Sequence, residues 1–294
     1  MDVNDRARLD TSQVNDVRGR RGGRGLAAGG GRGLAVGGGG LGIVGLLIAL
    51  ALGINPADLT GGQYGRVSVS TSDIDQRCQT GADADRDEDC RVVGIVNSVQ
   101  AFWRGEVRDY RPATTQLFSD ATTTGCGSAT SAVGPFYCPA DSGIYLDLGF
   151  FEVLRTQYGA SGGEFAQAYV IAHEYGHHIQ NLTGQSAKVQ QSGDRRGPQS
   201  GSVRLELQAD CYGGAWAANA VATGFLTSVT DTDIAEGLSA ASAVGDDRIQ
   251  EKSSGRVDPE SWTHGSAEQR QKWFRIGLST GDPATCDTFA VDRV

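Results

Sequence analysis

The chain has 294 residues, enough for one large domain or two small ones, and a formal net charge of −9. Residues 1–54 carry seven Arg and four Asp, a net of +3, whereas the remainder carries 19 basic and 31 acidic residues, a net of −12. An acidic body argues against nucleic acid as a partner, because binding to phosphates needs a basic surface.

Residues 1–76 differ in composition from the rest of the sequence. Residues 1–33 are polar and then rich in Gly and Arg, which predicts a disordered cytoplasmic tail. Residues 34–54 carry no charge and would span ~31 Å as a helix, enough for a transmembrane anchor. The preceding arginines predict a cytoplasmic N-terminus and an extracytoplasmic body. A cleaved signal is the alternative, with Ala49-Leu50-Ala51 as a weak site inside the apolar run. Residues 55–76 are interpreted as a linker and residues 77–294 as the functional domain.

Six cysteines lie in this domain, and no two of them form a C-x-x-C pair, so a cysteine-ligated zinc is disfavoured. Six cysteines allow 15 pairings. Closing two short loops is favoured, each worth ~3 kcal/mol in the chain-entropy model, and this leaves one long-range pair. Disulfides indicate an oxidising compartment outside the cytoplasm. The predicted pairs are Cys78–Cys90, Cys126–Cys138 and Cys211–Cys286.

Hydrophobic periodicity predicts helices and short strands along the domain. An aspartate-rich stretch, 83–89, is interpreted as a solvated loop, with calcium binding as the less favoured reading. The strand at 144–148 could pair with a peptide substrate or could be an ordinary sheet strand. Residues 181–201 are predicted to form a loop. The predicted helices are 90–107, 150–158, 202–222, 233–244 and 267–278, and the predicted strands are 114–118, 134–138 and 144–148.

The sequence His173-Glu174-x-x-His177 is typical of metallohydrolases when it lies on a helix. Residues four apart share a helix face, so both imidazoles can bind one zinc, and Glu174 can act as general base on a water. A capping box at 161–164, followed by apolar residues at helical spacing, predicts this helix. Two unrelated histidines would be the alternative explanation.

A catalytic zinc needs a third protein ligand and an open position. His178 lies about a quarter turn away from the two motif histidines. Glu206 and Asp210 are four apart in an otherwise apolar helix, so Glu206 is the candidate ligand and Asp210 the candidate partner for the second nitrogen of a ligating histidine. A solvated acidic face is the ordinary alternative, but unpaired carboxylates there would be costly.

Several stretches resemble the bacterial putative neutral zinc metallopeptidases. The resemblance runs from about residue 77 to the C-terminus and includes an apolar N-terminal segment. Gly213-Gly214, where Ala-Gly is usual, is a minor departure. The matching stretches are 134–139, 173–180, 206–212, 262–266 and 286–289.

The resemblance implies an α+β, zincin-like fold and a gluzincin-type site. His173, His177 and Glu206 would be the ligands of one Zn²⁺, and Glu174 would be the base. In such sites a histidine or tyrosine from the second lobe donates a hydrogen bond to the oxyanion; His264, just before the capping box at Ser266, is the candidate, with a packing role or a fourth-ligand role as alternatives.

Together these features predict a membrane-anchored, extracytoplasmic zinc peptidase, most simply an endopeptidase. It would hydrolyse bonds in a peptide or protein substrate with a zinc-activated water. The alternative is a non-catalytic membrane-anchored scaffold with a structural zinc. In that case a protein group such as His264 or Cys211 would fill the fourth position.

Overall fold

A computed structural model describes residues 1–19 and 74–294, and in these residues helices predominate over small sheets. The mixed helix and sheet class agrees with the prediction. The predicted transmembrane segment, 34–54, lies outside the described residues. The helices are α1 (Ile74–Arg77), α2 (Gly81–Ala84), α3 (Glu88–Glu106), α4 (Gly149–Thr156), α5 (Glu164–Leu182), α6 (Gln185–Ser192), α7 (Gly201–Asn219), α8 (Asp231–Ala243), α9 (Asp246–Ser254) and α10 (Ala267–Thr280).

The strands in the described residues are β1 (Asp2–Val3), β2 (Val14–Asp16), β3 (Thr114–Leu117), β4 (Ala121–Thr124), β5 (Gly127–Thr130), β6 (Phe136–Cys138), β7 (Gly143–Leu146) and β8 (Leu226–Ser228). Within these residues they form one four-stranded sheet, an antiparallel pair of the distant strands β1 and β8, and the hairpin β4-β5. The larger sheet has the order β2-β3-β7-β6, in which β2, β3 and β7 are parallel and β6 is antiparallel.

The proposed peptide-binding strand at 144–148 corresponds to β7, which already has β3 on one side and β6 on the other. Its backbone groups are therefore used within the sheet, and the idea that this strand adds a substrate is wrong. Strand β6, next to β7, forms one edge of the sheet. Its Tyr137 hydroxyl accepts a hydrogen bond from Asn181 of α5 at 2.9 Å, which ties the sheet to the end of this helix.

The prediction of a disordered tail over 1–33 is wrong for residues 1–19. β1 pairs with β8, and β2 extends the larger sheet beside β3. Buried Asn97 exchanges two hydrogen bonds with the backbone of Asp10, at 2.7 and 3.0 Å. These segments are too short and too polar to show a strand pattern in the sequence. They form strands here because partners distant in the sequence stabilise them.

The aspartates of the stretch 83–89 cap the N-termini of two helices and form ion pairs with arginines. Asp87 accepts hydrogen bonds from the first backbone N–H groups of α3, and Asp89 binds Arg18 at 2.7 Å and Arg77 at 2.8 Å. Asp83 forms a capping box with Thr80 at the start of α2. The stretch therefore joins the end of α2 to the start of α3, and the prediction of a solvated loop is wrong at both of its ends.

The long helix α5 lies at the centre of the fold, and fifteen of its nineteen residues are buried. It does not begin with the predicted capping box at 161–164: the cap position is Gly163, which offers no side chain. Instead Glu236 of α8 accepts a hydrogen bond from the Phe165 N–H at 3.2 Å. The predicted capping box of α10, from Ser266 to Gln269, is present. The predicted loop at 181–201 also contains a helix, α6.

Helices α7 and α10 pack with backbones almost in contact. A Cβ atom on Gly214 would lie 2.1 Å from the carbonyl oxygen of Phe274, and one on Gly277 would lie 1.9 Å from that of Cys211. Glycine is therefore required at Gly214 and Gly277. The departure noted above is at Gly213, where a Cβ atom would lie at an ordinary 3.8 Å from that of Ala172.

All three predicted disulfides are present, Cys78–Cys90, Cys126–Cys138 and Cys211–Cys286. The last of these joins α7 to the C-terminal segment, 75 residues further along the chain. Within residues 1–19 and 74–294, no helix is both long enough and apolar enough to cross a bilayer.

Candidate metal centre

Helix α5 presents His173 and His177 one turn apart, with their rings nearly perpendicular and the ring centroids 4.7 Å apart. The helix continues for two turns before His173, and its surroundings are apolar, so the backbone that carries the two rings is firmly held. His173 is buried, while His177 is partly exposed. The spacing thus gives the shared face that the sequence predicts.

Glu206 of α7 faces both histidines. Its carboxylate oxygens lie 3.3 Å from His173 Nε2 and 3.5 Å from His177 Nε2. Two ligands of a tetrahedral zinc are separated by ~3.3–3.4 Å when each bond is ~2.0–2.1 Å long. The separations therefore fit a zinc site, and these three side chains are the group in the described part of the chain that could hold a metal.

Two of the three side chains carry buried atoms with no hydrogen-bond partner, His173 Nε2 and Glu206 Oε2. A buried polar atom without a partner costs about 1–3 kcal/mol unless something satisfies it. The ligand atoms of the three side chains lie within 4.8 Å of one another, and a divalent cation bound among them would satisfy both atoms. The arrangement of donors thus fits a metal.

A close helix contact brings Glu206 to this position. A Cβ atom on Gly176 of α5 would lie 2.8 Å from the Cα atom of Ala209 on α7. Because Gly176 has no side chain, α7 approaches closely enough for the carboxylate one turn before Ala209 to reach the imidazoles. The glycine inside the histidine motif is therefore part of the geometry of the site.

The second nitrogen of His173 is held by a buried ion-pair network. His173 Nδ1 donates to Asp210 Oδ1 at 2.9 Å, and the Tyr169 hydroxyl donates to the same oxygen at 2.5 Å. Arg270 of α10 binds both carboxylate oxygens of Asp210, at 2.8 and 2.9 Å. This hydrogen bond fixes the ring so that Nε2 faces the metal position, as in many zinc proteins.

His177 has its own support. Its Nδ1 lies 2.9 Å from Gln180 Oε1, and the amide nitrogen of Gln180 donates to the carbonyl oxygen of Leu205 at 2.7 Å. The sequence analysis identified Asp210 but missed Gln180, Tyr169 and Arg270. Tyr169 and Gln180 lie four and three residues from their histidines, a spacing that places them on the same face. Arg270 had no such signal, since its contact depends on how α10 packs.

Burial and charged neighbours together set the pKa values of the two carboxylates at this site. Burial raises the pKa of Asp210, but Arg270 and His173 lower it further, so its pKa lies below the usual range. Burial also raises the pKa of Glu206, but His177, His264 and His173 lower it by more, so this pKa lies well below its ordinary value. Both carboxylates are thus ionised at neutral pH, as a ligand and its supporting group must be.

Glu174 is buried beside the ligands, with a relative exposure of 4%. Burial raises the pKa of its carboxyl, and the neighbouring histidines only partly offset this. A carboxylate whose pKa is moved towards neutrality is better suited to accept and return a proton.

His264 is almost fully buried, and its Nδ1 faces Asp246 Oδ1 at 3.1 Å. The other oxygen of Asp246 accepts three backbone N–H groups, from Thr263, His264 and Gly265, at 2.7–3.0 Å. These bonds lower the pKa of Asp246 although burial raises it. His264 Nε2 has no hydrogen-bond partner. The sequence analysis missed Asp246, which lies 18 residues before His264 at the start of α9.

The structure places the other candidates away from metal ligation. Cys211 is bonded to Cys286, so its sulfur is not a thiolate. His178 lies 3.1 Å from the Tyr137 hydroxyl through Nδ1 and 2.6 Å from the carbonyl oxygen of Arg111 through Nε2, and burial lowers its pKa. It therefore links α5 to the sheet region, in keeping with its predicted position off the metal face.

Comparison with known proteins gives relatives over most of the chain. An uncharacterized protein of Mycobacterium tuberculosis, Rv2575, is 51% identical over 255 residues, which cover 82% of this chain and 85% of the relative. The uncharacterized protein YpfJ of Escherichia coli K12 is 40% identical over 256 residues, covering 84% and 86%. No solved structure matches. The family model described as putative neutral zinc metallopeptidase matches residues 3–289, and the chain therefore belongs to that family.

Proposed function

We propose that this chain is a zinc-dependent endopeptidase of zincin-like fold that uses one catalytic ion. The supporting observation is the group of three ligand atoms on His173, His177 and Glu206, with buried Glu174 adjacent on the same helix. Three protein ligands leave a fourth position for water or substrate, which is the composition of catalytic rather than structural zinc sites.

When bound, zinc supplies Lewis-acid chemistry at the scissile carbonyl and makes water more acidic. Glu174 accepts a proton from the attacking water as the oxygen of that water bonds to the carbonyl carbon. The carboxyl then gives this proton to the amide nitrogen as the C–N bond breaks, and the products are a carboxylic acid and an amine. Asp210 and Gln180 keep the two imidazoles oriented throughout.

His264 has the properties of an oxyanion donor. Asp246 accepts a hydrogen bond from Nδ1, and the imidazolium form of the ring, whose charge Asp246 would balance, would donate from Nε2 to the carbonyl oxygen of the substrate as negative charge develops there. We assign Glu174 and His264 the catalytic roles and Asp246 the role of positioning His264.

A scaffold protein with a structural zinc is the competing function. It requires a fourth protein ligand, but Cys211 is in a disulfide and His264 is outside the ligand group of the described residues. It also gives no reason to bury a carboxylate at Glu174, which costs free energy when no partner is present. Both points favour the peptidase.

The disulfides favour action outside the cytoplasm, on a peptide or protein substrate. Attachment to the cell membrane remains a prediction from the sequence, and a single membrane crossing at 34–54 conflicts with the packing of residues 1–19 on the body. The acidic body gives no reason to propose nucleic acid as a partner.

The test compares zinc content and peptide hydrolysis in the full-length chain and its variants. His173→Ala, His177→Ala and Glu206→Ala should each lose zinc. Glu174→Gln should keep zinc and lose ~10²–10⁴ in turnover, the usual contribution of a general base. Asp210→Asn should be milder, at ~10–100-fold in affinity or activity. Full zinc binding by Glu206→Ala would remove it as a ligand, and normal turnover by Glu174→Gln would refute the mechanism.

A further inference from the structure

A narrow apolar cavity opens directly beside the proposed catalytic groups. It is bounded by Pro135, by Phe150 of α4, by Val170 of α5 and by Val244, and His173 and Glu174 form part of its wall. Its volume is about 20 Å³. Because His173 and Glu174 also belong to the proposed catalytic site, a substrate that reaches Glu174 lies next to this cavity.

The lining of the cavity offers no free positive charge. Arg270 lies there, but both oxygens of Asp210 bind it at 2.8 and 2.9 Å, and its remaining nitrogen faces the carbonyl oxygen of Val244 at 3.3 Å. The Tyr169 hydroxyl is also bound to Asp210. A carboxylate in the cavity would therefore find no unpaired cation, and it would meet the carboxylate of Glu174. The lining selects an uncharged group.

The size of the cavity limits that group further. A cavity needs roughly 10–15 Å³ to hold one water molecule, so 20 Å³ has room for a group about the size of one methyl. Its walls have little room to retreat. The ring of Phe150 packs on Gly134, where an added Cβ would lie 3.1 Å from the ring, and both Phe150 and Val244 are buried.

Proton transfer identifies which part of a peptide lies here. Glu174 must come within about 2.6–3.2 Å of the leaving nitrogen to return the proton. The Cα atom bonded to that nitrogen belongs to the residue that follows the scissile bond. Its side chain is therefore the nearest to Glu174, and the cavity lined by Glu174 is the nearest space for it.

We propose that this cavity binds the side chain of the residue immediately after the scissile bond and restricts it to small uncharged side chains, of which alanine fits best. The proposal rests on the proposed peptidase function and extends it to a substrate class. Phe150 and Val244 set the upper size limit.

The test uses a series of fluorogenic peptides that differ only in the residue after the scissile bond: alanine, valine, leucine, phenylalanine or aspartate. The wild-type chain should prefer alanine and valine to leucine and phenylalanine by ~10–200-fold in kcat/KM, and aspartate should be a poor substrate. Phe150→Leu and Val244→Ala should shift the leucine-to-alanine ratio by ~10-fold or more towards leucine, with unchanged zinc content.

Phe151→Leu is the matched control, because the neighbouring ring lines a different depression, on the side of Arg155, and should leave the preference unchanged. Peptide binding to the Glu174→Gln variant gives a second measurement, and its dissociation constants should follow the same order of side-chain size. A wild-type preference for leucine or phenylalanine, or an unaltered ratio in active Phe150→Leu and Val244→Ala proteins, would overturn the proposal. Absence of any hydrolysis that depends on Glu174 would refute the peptidase function itself; in that case the size order of binding still tests the cavity.

Discussion

At the scale of single residues, each histidine of the proposed site is paired with a second side chain that fixes its orientation by a hydrogen bond to Nδ1. Asp210 holds His173, Gln180 holds His177, and Asp246 holds His264. In each pair the holding group leaves the Nε2 atom of the histidine free. Charge is also balanced locally, since Arg270 neutralises Asp210 in a place where an unpaired carboxylate would be strongly unfavourable.

His264 and Asp246 should behave as one unit in catalysis. His264→Ala is expected to lower kcat by ~10²–10³, the effect of removing one oxyanion donor, with zinc content and fold unchanged. Asp246→Asn should lower kcat by less. Combined with His264→Ala it should lower kcat almost no further, because Asp246 acts only through the imidazole of His264. Steady-state kinetics and zinc analysis of the two single variants and the double variant test this. Wild-type kcat in His264→Ala, or additive losses in the double variant, would contradict the assignment.

At the scale of elements, the site depends on how closely three helices approach one another. Local patterns in the sequence were sufficient to locate α5, α7 and α10 and the shared face of His173 and His177, because helical period and spacing are local properties. The contact of Arg270 with Asp210, the cap that Glu236 provides for α5, and the pairing of β2 depend on packing between distant segments. No local pattern encodes these contacts, and the sequence analysis missed them.

Gly176 gives a test of this close approach. Alanine normally stabilises a helix interior relative to glycine by ~1 kcal/mol. At Gly176 the new Cβ would lie 2.8 Å from the Cα atom of Ala209, so Gly176→Ala should instead lower the free energy of unfolding by ~1–3 kcal/mol and weaken zinc binding as Glu206 moves away. Gly213→Ala is the matched control, because its Cβ would meet Ala172 at an ordinary 3.8 Å. Denaturant unfolding and zinc titration measure both. Equal effects of the two substitutions would show that the helix contact is not the cause.

At the scale of the whole molecule, residues 1–19 belong to the same folded unit as the metallopeptidase body. Val3 and Val14 are part of the main hydrophobic core, and Arg18 forms ion pairs with Asp16 and Asp89. A Cβ atom on Gly81 would lie 2.0 Å from the carbonyl oxygen of Asn4, so this position has no room for a side chain while the segment is in place. The match to the family model also begins in this segment, at residue 3.

This packing bears on membrane orientation. A chain with its N-terminus in the cytoplasm and its body outside cannot make these contacts, since a bilayer would separate the two partners. We therefore expect residues 1–19 and the body to lie on the same side of any membrane to which the protein is attached. Ser12 and Ser253 are both exposed, one in each part, and all six native cysteines are in disulfides. Single Ser12→Cys and Ser253→Cys variants can therefore report the location of each part.

Labelling of intact cells with a membrane-impermeant maleimide is the measurement. If the body is outside the cytoplasm, both cysteines should react, and to a similar extent, because residue 12 remains beside the body. If neither cysteine reacts before lysis and both react afterwards, the two parts lie on the same side of the membrane, but the extracytoplasmic location is refuted. Reaction of Ser253→Cys alone would show that the N-terminal segment is on the opposite side, and so that β2 does not pair with β3 in the cell.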